Sequence, residues 1–255
     1  MKNIIFIVNI DNDNNRNKPY HYSIKSWKKW ADKNNAEVFV LTERVYENNY
    51  MHINWHKSLA LELLKSNNIE YNQVLIVDAD TIVHPNCPNF FNETDDKFCA
   101  VMNDSCYEWV QRSIRKYGDY IFPDIEKIKT WEYFNSGFII VNKKHEDFFD
   151  KVLNFYHDNF EKFAYSQSFL VGHDQTPLNF FVKKYNIETK LLPNCYNFQD
   201  MFKKNLLHIP GHSWWADELI FLDSGWVYHF NSIPKNNRHV SYWMERTYKK
   251  LYKHE

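Results

Sequence analysis

Glycine is scarce in this sequence, with only 5 among 255 residues. A GxGxxG dinucleotide fingerprint or a Walker phosphate loop needs several glycines in one short turn. Neither occurs, and the stretch after the first apolar run, Asn9 to Asn17, contains no glycine at all. That argues against a nucleotidyltransferase with a Gly-rich loop at this position. Cysteine is also sparse. Cys87, Cys99, Cys106 and Cys195 form no CxxC pair and no dense disulfide framework, so reduced thiols are expected. Neither sign of charge is in excess: the net charge is −1, which excludes the basic footprint of a nucleic-acid binder. No apolar run is long enough for a membrane span, and Ile4–Ile10 is far too short. No secretory signal is visible, so a cytoplasmic protein is expected, and the sequons at Asn92 and Asn103 carry no meaning. Hydrolase signatures are missing as well. No Ser/His/Asp motif is evident. His52/His56 and His208/His212 have i,i+4 spacing, but no glutamate follows His52, and Pro210-Gly211 breaks the second pair.

Aromatic residues, by contrast, are abundant at 18% of the chain. They suit an aromatic-rich core first, and a ring-shaped ligand second. The basic, aromatic stretch Arg246 to Lys253 reads as a solvated helix face, with peripheral contact to an anionic membrane as the minority reading.

Short apolar runs recur along the chain. Ile4–Val8, Glu37–Leu41, Gln73–Val77, Phe98–Met102 and Phe138–Asn142 read as buried strands. Between and after them, Tyr22–Lys33, Asn54–Lys65, Glu146–Phe163 and Gln175–Tyr185 carry helical periodicity, and residues 103–132 read as a helix plus an irregular excursion. This alternation predicts a three-layer α/β/α fold with a mixed, mostly parallel central sheet. No repeat or flexible linker divides the chain, so one domain over 1–255 is expected.

The third run ends in Asp78-Ala79-Asp80. Residues i and i+2 of a strand share a face, so both carboxylates project together from an apolar strand. Two such charges need compensation. A divalent cation supplies it, and oxygen ligands suit Mg²⁺ or Mn²⁺. The pair also lies at the carboxyl end of a strand, where open α/β sheets bind ligands. Thr81-Ile82-Val83 follows instead of a turn, so the loop is held between two rigid segments.

Here the sequence resembles a known group. Val74-Leu75-Ile76-Val77-Asp78-Ala79-Asp80-Thr81 looks like the DxD region of GT-A nucleotide-sugar glycosyltransferases. Three more segments resemble the retaining family 8 branch, the glycogenin and bacterial galactosyltransferase type. Tyr133 to Asn142 is similar to that family's YFNAGVLLIN segment. His173 to Asn179 is similar to its DQDxLN segment. Val227-Tyr228-His229-Phe230 with Lys235 is similar to HFxGxxKPW, with the His-to-Lys distance kept. The four segments occur in the family's order. Ser232 stands where the family has Gly, and Asn236 where it has Pro.

The resemblance implies roles. Asp80 would ligate the metal directly, Asp78 would bind metal, ribose or both, and His229 would be the third ligand, which favours Mn²⁺ over Mg²⁺. Lys235 would hold the donor diphosphate, with Lys57 as a second cation near the phosphates. Asn135 would contact the donor sugar or acceptor, or simply form a turn before a strand. Asp174 would grip sugar hydroxyls, and Gln175 would lie on the β-face of the anomeric carbon. Residues 1–102 would form the nucleotide-binding half and 103–255 the sugar and acceptor half. The implied activity is hexosyl transfer from a UDP-sugar to a carbohydrate, lipid or protein acceptor with retention. Trp214-Trp215 could stack on the acceptor. An inverting GT-A enzyme, with Asp217 or Glu218 as base, a nucleotidyltransferase and a non-catalytic sugar-binding protein are the alternatives.

Overall fold

Alternation along the apolar strands builds two cores from one sheet. In the computed structural model, which describes residues 1–11, 16–166, 172–207, 218–234 and 239–253, strand β1 (Lys2–Val8) sends Ile4 and Phe6 to one face and Ile5 and Ile7 to the other. Strand β3 (Tyr71–Asp78) repeats this with Val74 and Ile76 against Leu75 and Val77. Residues buried on both faces read as continuous apolar runs, the pattern of a strand covered by helices on both sides.

The remaining elements follow from that frame. Strands β2 (Ala36–Leu41), β4 (Thr81–Val83), β5 (Phe98–Met102), β6 (Phe134–Asn142), β7 (Thr189–Leu192) and β8 (Val227–His229) complete the described strands. The main sheet has the order β2-β1-β3-β6-β5-β7. β1 runs parallel to β2 and β3, and β5 parallel to β7, while β6 lies antiparallel between β3 and β5. β4 and β8 form a separate antiparallel pair in which Thr81 faces His229. Helices α2 (Ala60–Ser66), α3 (Tyr107–Tyr120), α4 (Glu146–Asp158), α5 (Phe160–Ser166) and α6 (Gln175–Lys184) belong to the first core. Helices α1 (Tyr20–Lys33) and α7 (Val240–Leu251) belong to the second. The expected three-layer architecture with a mixed, mostly parallel sheet is therefore observed.

Two expected helices are each split. Asn54–Lys65 begins as a tighter 3-10 segment, Ile53–Leu59, before α2. Ile53, Asn54, Trp55 and His56 all have modest helix propensity, and Trp55 is drawn against Tyr156, with ring centroids 4.4 Å apart. The Glu146–Phe163 stretch breaks between α4 and α5 at Asn159. The side chain of Asn159 donates to the Phe155 carbonyl at 3.0 Å and caps α4. In α7 the basic stretch is a largely solvated face. Trp243, Met244 and Thr247 are buried, while Lys249 pairs with Glu245 in solvent. Among the described residues, no helix is long and apolar enough to cross a membrane.

The abundant tryptophans hold the region around Asp78-Ala79-Asp80. Trp27 and Trp30 of α1 are fully buried. Trp27 Nε1 donates to Thr81 Oγ at 2.9 Å, and Thr81 Oγ donates to the Asp78 carbonyl at 2.8 Å. Trp30 stacks on Phe90 with centroids 4.5 Å apart and donates to the Cys87 carbonyl. Removing a side chain of this kind from a core costs about 3–5 kcal/mol. From the other side, Phe230 N donates to the Asp80 carbonyl at 2.9 Å. Both strands leaving the loop are thus fixed.

Candidate active site

Asp78 closes β3, and Ala79-Asp80 form a short turn before β4. The two carboxylates therefore converge through a tight turn between two strands, rather than through the pleat of one. Opposite them, β8 delivers His229. Ligand atoms of Asp78, Asp80 and His229 all lie within 4.8 Å of one another. His229 Nε2 is 3.1 Å from Asp80 Oδ1 and 3.7 Å from Asp78 Oδ2. Adjacent ligands of an octahedral ion are about 3 Å apart when metal–oxygen bonds are about 2.1 Å. The donor set, two carboxylates and one imidazole, suits a divalent ion such as Mn²⁺.

One atom tests this fit. His229 Nε2 is buried and makes no hydrogen bond, although it faces both carboxylates. Its ring partner Nδ1 is 3.0 Å from Asn197 Oδ1. A histidine tethered through one nitrogen and bare at the other is the usual arrangement of a metal ligand. Burial lowers the His229 pKa, but the Asp80 and Asp78 carboxylates outweigh it and leave the imidazole above its ordinary value. Burial likewise raises the Asp80 pKa, but His229 and then Arg16 bring it below normal.

The adjoining wall comes from β6 and the start of α6. Between β5 and β6 the register jumps: Ala100 faces Ile139, but Val101 faces Asn135. The three residues Ser136, Gly137 and Phe138 are thus extra on β6, forming a bulge. Bulges re-aim side chains at active sites. Asn135-Ser136-Gly137, which also reads as a plain turn from sequence, lies within the strand. Gly137 is required by space: a Cβ there would sit 2.4 Å from His229 Cε1 and 2.8 Å from Asp78 Oδ2.

Asp174 precedes α6 but does not cap it. Its carboxylate instead accepts from Ser136 Oγ at 2.8 Å and pairs with Lys57 Nζ at 3.0 Å. Lys57 also donates to Asp78 Oδ1 at 2.8 Å and lies 3.3 Å from both the carbonyl and hydroxyl oxygens of Ser136. Burial works to lower the Lys57 pKa, but Asp174 and Asp78 overcome it and keep the ammonium firmly charged. Lys57 is therefore a bolt between the Asp78 and Asp174 carboxylates. Gln175 is occupied too. Its Oε1 accepts from Asn135 Nδ2 at 2.9 Å and Ser136 N at 3.3 Å, and its Nε2 donates to Tyr133 Oη at 3.2 Å.

These groups line one cleft of about 300 Å³. No motif marks four of its other residues: Arg16, Asn17, Tyr20 and Trp109. Arg16 Nε donates to Tyr20 Oη at 3.0 Å. Burial first, and the Asp80 charge second, push the Tyr20 pKa up, so the phenol keeps its proton. Arg16 and Tyr20 follow β1 at its carboxyl end, and that position is the one signal that could have pointed to them. Lys235, Asn236, His208, His212, Trp214, Trp215 and Asp217 lie outside the described residues. Glu218 lines a different groove, beside Arg246 and Lys249, and is not part of the cleft.

No known family model matches the sequence, and no curated protein matches it. Solved structures do match the fold. A glycosyltransferase involved in the glycosylation of the major capsid of PBCV-1 aligns with a TM-score of 0.61 at 10% identity, over 95% of this chain and 98% of its own. The galactosyltransferase LgtC, solved with donor and acceptor sugar analogues, aligns at 0.54 and 15% identity, over 97% and 94%. Mouse xyloside xylosyltransferase 1 aligns at 0.53 and 11% identity, over 92% and 100%. The chain has the GT-A fold of these glycosyltransferases over nearly its whole length.

Proposed function

We propose that this protein is a metal-dependent glycosyltransferase that moves a hexose from a UDP-sugar to an acceptor with retention of configuration. The observation that carries the reading is the meeting of Asp78, Asp80 and the His229 Nε2, which makes no hydrogen bond, in the wall of a polar cleft. The GT-A fold supports it, because that cleft lies at the carboxyl ends of β1 and β3.

In this reading, Asp78, Asp80 and His229 hold Mn²⁺, with Mg²⁺ as the weaker substitute. The bound ion supplies Lewis-acid stabilisation of charge on the departing diphosphate. Arg16, which lines the cleft, and Lys235 add positive charge for that diphosphate. Lys57 holds Asp78 and Asp174 at a fixed separation, and its place beside Asp78 keeps it near the phosphates. Asp174 presents its carboxylate to sugar hydroxyls. Asn135 borders the reaction centre. Gln175 is a poor nucleophile as an amide, and both lone-pair directions of its oxygen already accept hydrogen bonds. Front-face displacement, with the leaving phosphate taking the acceptor proton, therefore suits this cleft better than a covalent sugar–enzyme species. The chain would act as one domain, residues 1–102 binding nucleotide and 103–255 binding sugar and acceptor. The cleft is lined from both halves.

The test is a panel of nucleotide sugars with Mn²⁺, Mg²⁺ or EDTA, reading nucleotide release. Release from one UDP-sugar is expected with Mn²⁺ and not with EDTA. Equal release in EDTA would sink the metal mechanism. Proton NMR of the new anomeric linkage decides retention.

A further inference from the structure

Asn197 is almost wholly buried, and it belongs to no motif noted in the sequence. It ends the short 3-10 segment Asn194–Asn197, and its side chain reaches between His229 and Asn135. Asn197 Oδ1 faces His229 Nδ1 at 3.0 Å, and Asn197 Nδ2 donates to Asn135 Oδ1 at 2.9 Å. Asn135 Nδ2 donates in turn to Gln175 Oε1 at 2.9 Å. Three carboxamides thus run in series from the metal ligand to the first turn of α6.

Two backbone groups give this series a direction. Gly137 N can only donate, and it lies 2.8 Å from Asn135 Oδ1. The Asn135 atom at that point must therefore be oxygen. Because the same oxygen faces Asn197, the Asn197 atom there must be the amide nitrogen. Its other end, facing His229 Nδ1, is then oxygen and can only accept. Nδ1 must carry a proton, and in the neutral imidazole Nε2 must carry the lone pair. Ser136 N, donating to Gln175 Oε1 at 3.3 Å, fixes the far end independently and demands the same direction. The β6 bulge supplies both backbone donors. Reversing the series would set Asn135 nitrogen against an N–H and leave buried groups unsatisfied, at about 1–3 kcal/mol each.

We propose that Asn197 is a positioning residue: with Asn135 and Gln175 it forms a one-way hydrogen-bond relay, anchored on the Ser136 and Gly137 backbone, that holds the His229 ring with its Nε2 lone pair on the Asp78–Asp80 pocket. The inference rests on the metal-site reading above and assigns Asn197 no contact with substrate. It also gives Gln175 a second duty, as the fixed end of the support for His229.

Calorimetric titration of Mn²⁺ alone into the full chain tests it. Wild type must bind Mn²⁺ with a loss of affinity in Asp80→Asn; absence of binding overturns the metal-site reading and the relay with it. Given wild-type binding, Asn197→Ala should weaken Mn²⁺ affinity by about 10–100-fold, the usual effect of removing a ligand's support. Asn197→Asp keeps an acceptor for Nδ1–H and should bind Mn²⁺ more tightly than Asn197→Ala. Unchanged affinity in Asn197→Ala, even with a lower melting temperature, would reduce Asn197 to packing and overturn the relay alone. A measurement on wild type covers failure of the variants to fold. Histidine ¹⁵N NMR with saturating Mg²⁺ should show His229, assigned by its loss in His229→Gln, with the proton on Nδ1. A proton on Nε2 with Nδ1 bare overturns the relay.

Discussion

Two groups of side chains in the cleft are built on opposite plans. In the metal group, Asp78 and Asp80 face a histidine nitrogen that makes no hydrogen bond. Beside them, the Asp174 carboxylate is met by Lys57 and Ser136, and the Gln175 carboxamide by three partners. The first group keeps one imidazole nitrogen without a hydrogen bond and is tied to Lys57 through Asp78 alone, and the second is closed on itself. The first group can respond to a ligand that carries positive charge. The closed group is held in place by its own hydrogen bonds. Preorganised groups of this second kind need no rearrangement when charge develops.

The sharpest way to break this contrast is to disable the first group. Asp80→Asn should lower Mn²⁺-dependent nucleotide release by at least about 100-fold, comparable to losing a preorganised electrostatic contact, with little change in melting temperature. A variant as active as wild type would mean that the first group is merely an acidic corner. Next comes the closed group. Lys57→Met removes the cation shared by Asp78 and Asp174. Breaking a buried pair costs about 3–5 kcal/mol. Because Asp78 is 34% exposed, the low end of that range is expected, read by urea denaturation. A destabilisation under about 1 kcal/mol, the level of a surface pair, would show that the two groups are not bolted together.

Gly137→Ala probes the seam between them. Its new Cβ meets His229, Asn135 and Asp78, so about 1–3 kcal/mol of overpacking is expected, together with loss of Mn²⁺ binding. Unaltered metal affinity would place the seam elsewhere. The smallest effect is on stability against pH. Burial lowers the pKa of His52 and His56, both near Lys57, and of His145. The unfolded chain takes up protons there first, so stability is complete above about pH 6.5 and declines as the pH falls below it. The raised pKa of His229 works the other way: its share is present at low pH and lost as the pH rises through the folded value. Melting curves on either side of that pH should show a net loss in acid that His56→Gln reduces.

Much of the fold could be read from short-range patterns. The apolar runs at β1, β3 and β6, and the Asp78-Ala79-Asp80 end of β3, carry a local signature that tertiary structure then respects. His229 could be located only through its resemblance to a known motif, since one histidine among 12 has no local mark. Asn197, Arg16 and the partners of Lys57 depend on contacts between residues far apart in sequence. The Lys57–Asp174 pair and the Asn197–Asn135 bond join segments with no shared periodicity. The bulge in β6 is invisible for the same reason: it is a mismatch between two strands, and neither strand shows it alone. Helix boundaries failed more simply, where a single residue such as Asn159 capped a turn within a periodic stretch.

The pairing of Thr81 with His229 joins positions at widely separated points of the chain. An ion held by Asp78, Asp80 and His229 would then be a removable cross-link closing a loop of about 150 residues, made only in the folded chain because folding assembles its ligands. Its strength is set by concentration: at one hundred times its dissociation constant it adds about 2.7 kcal/mol.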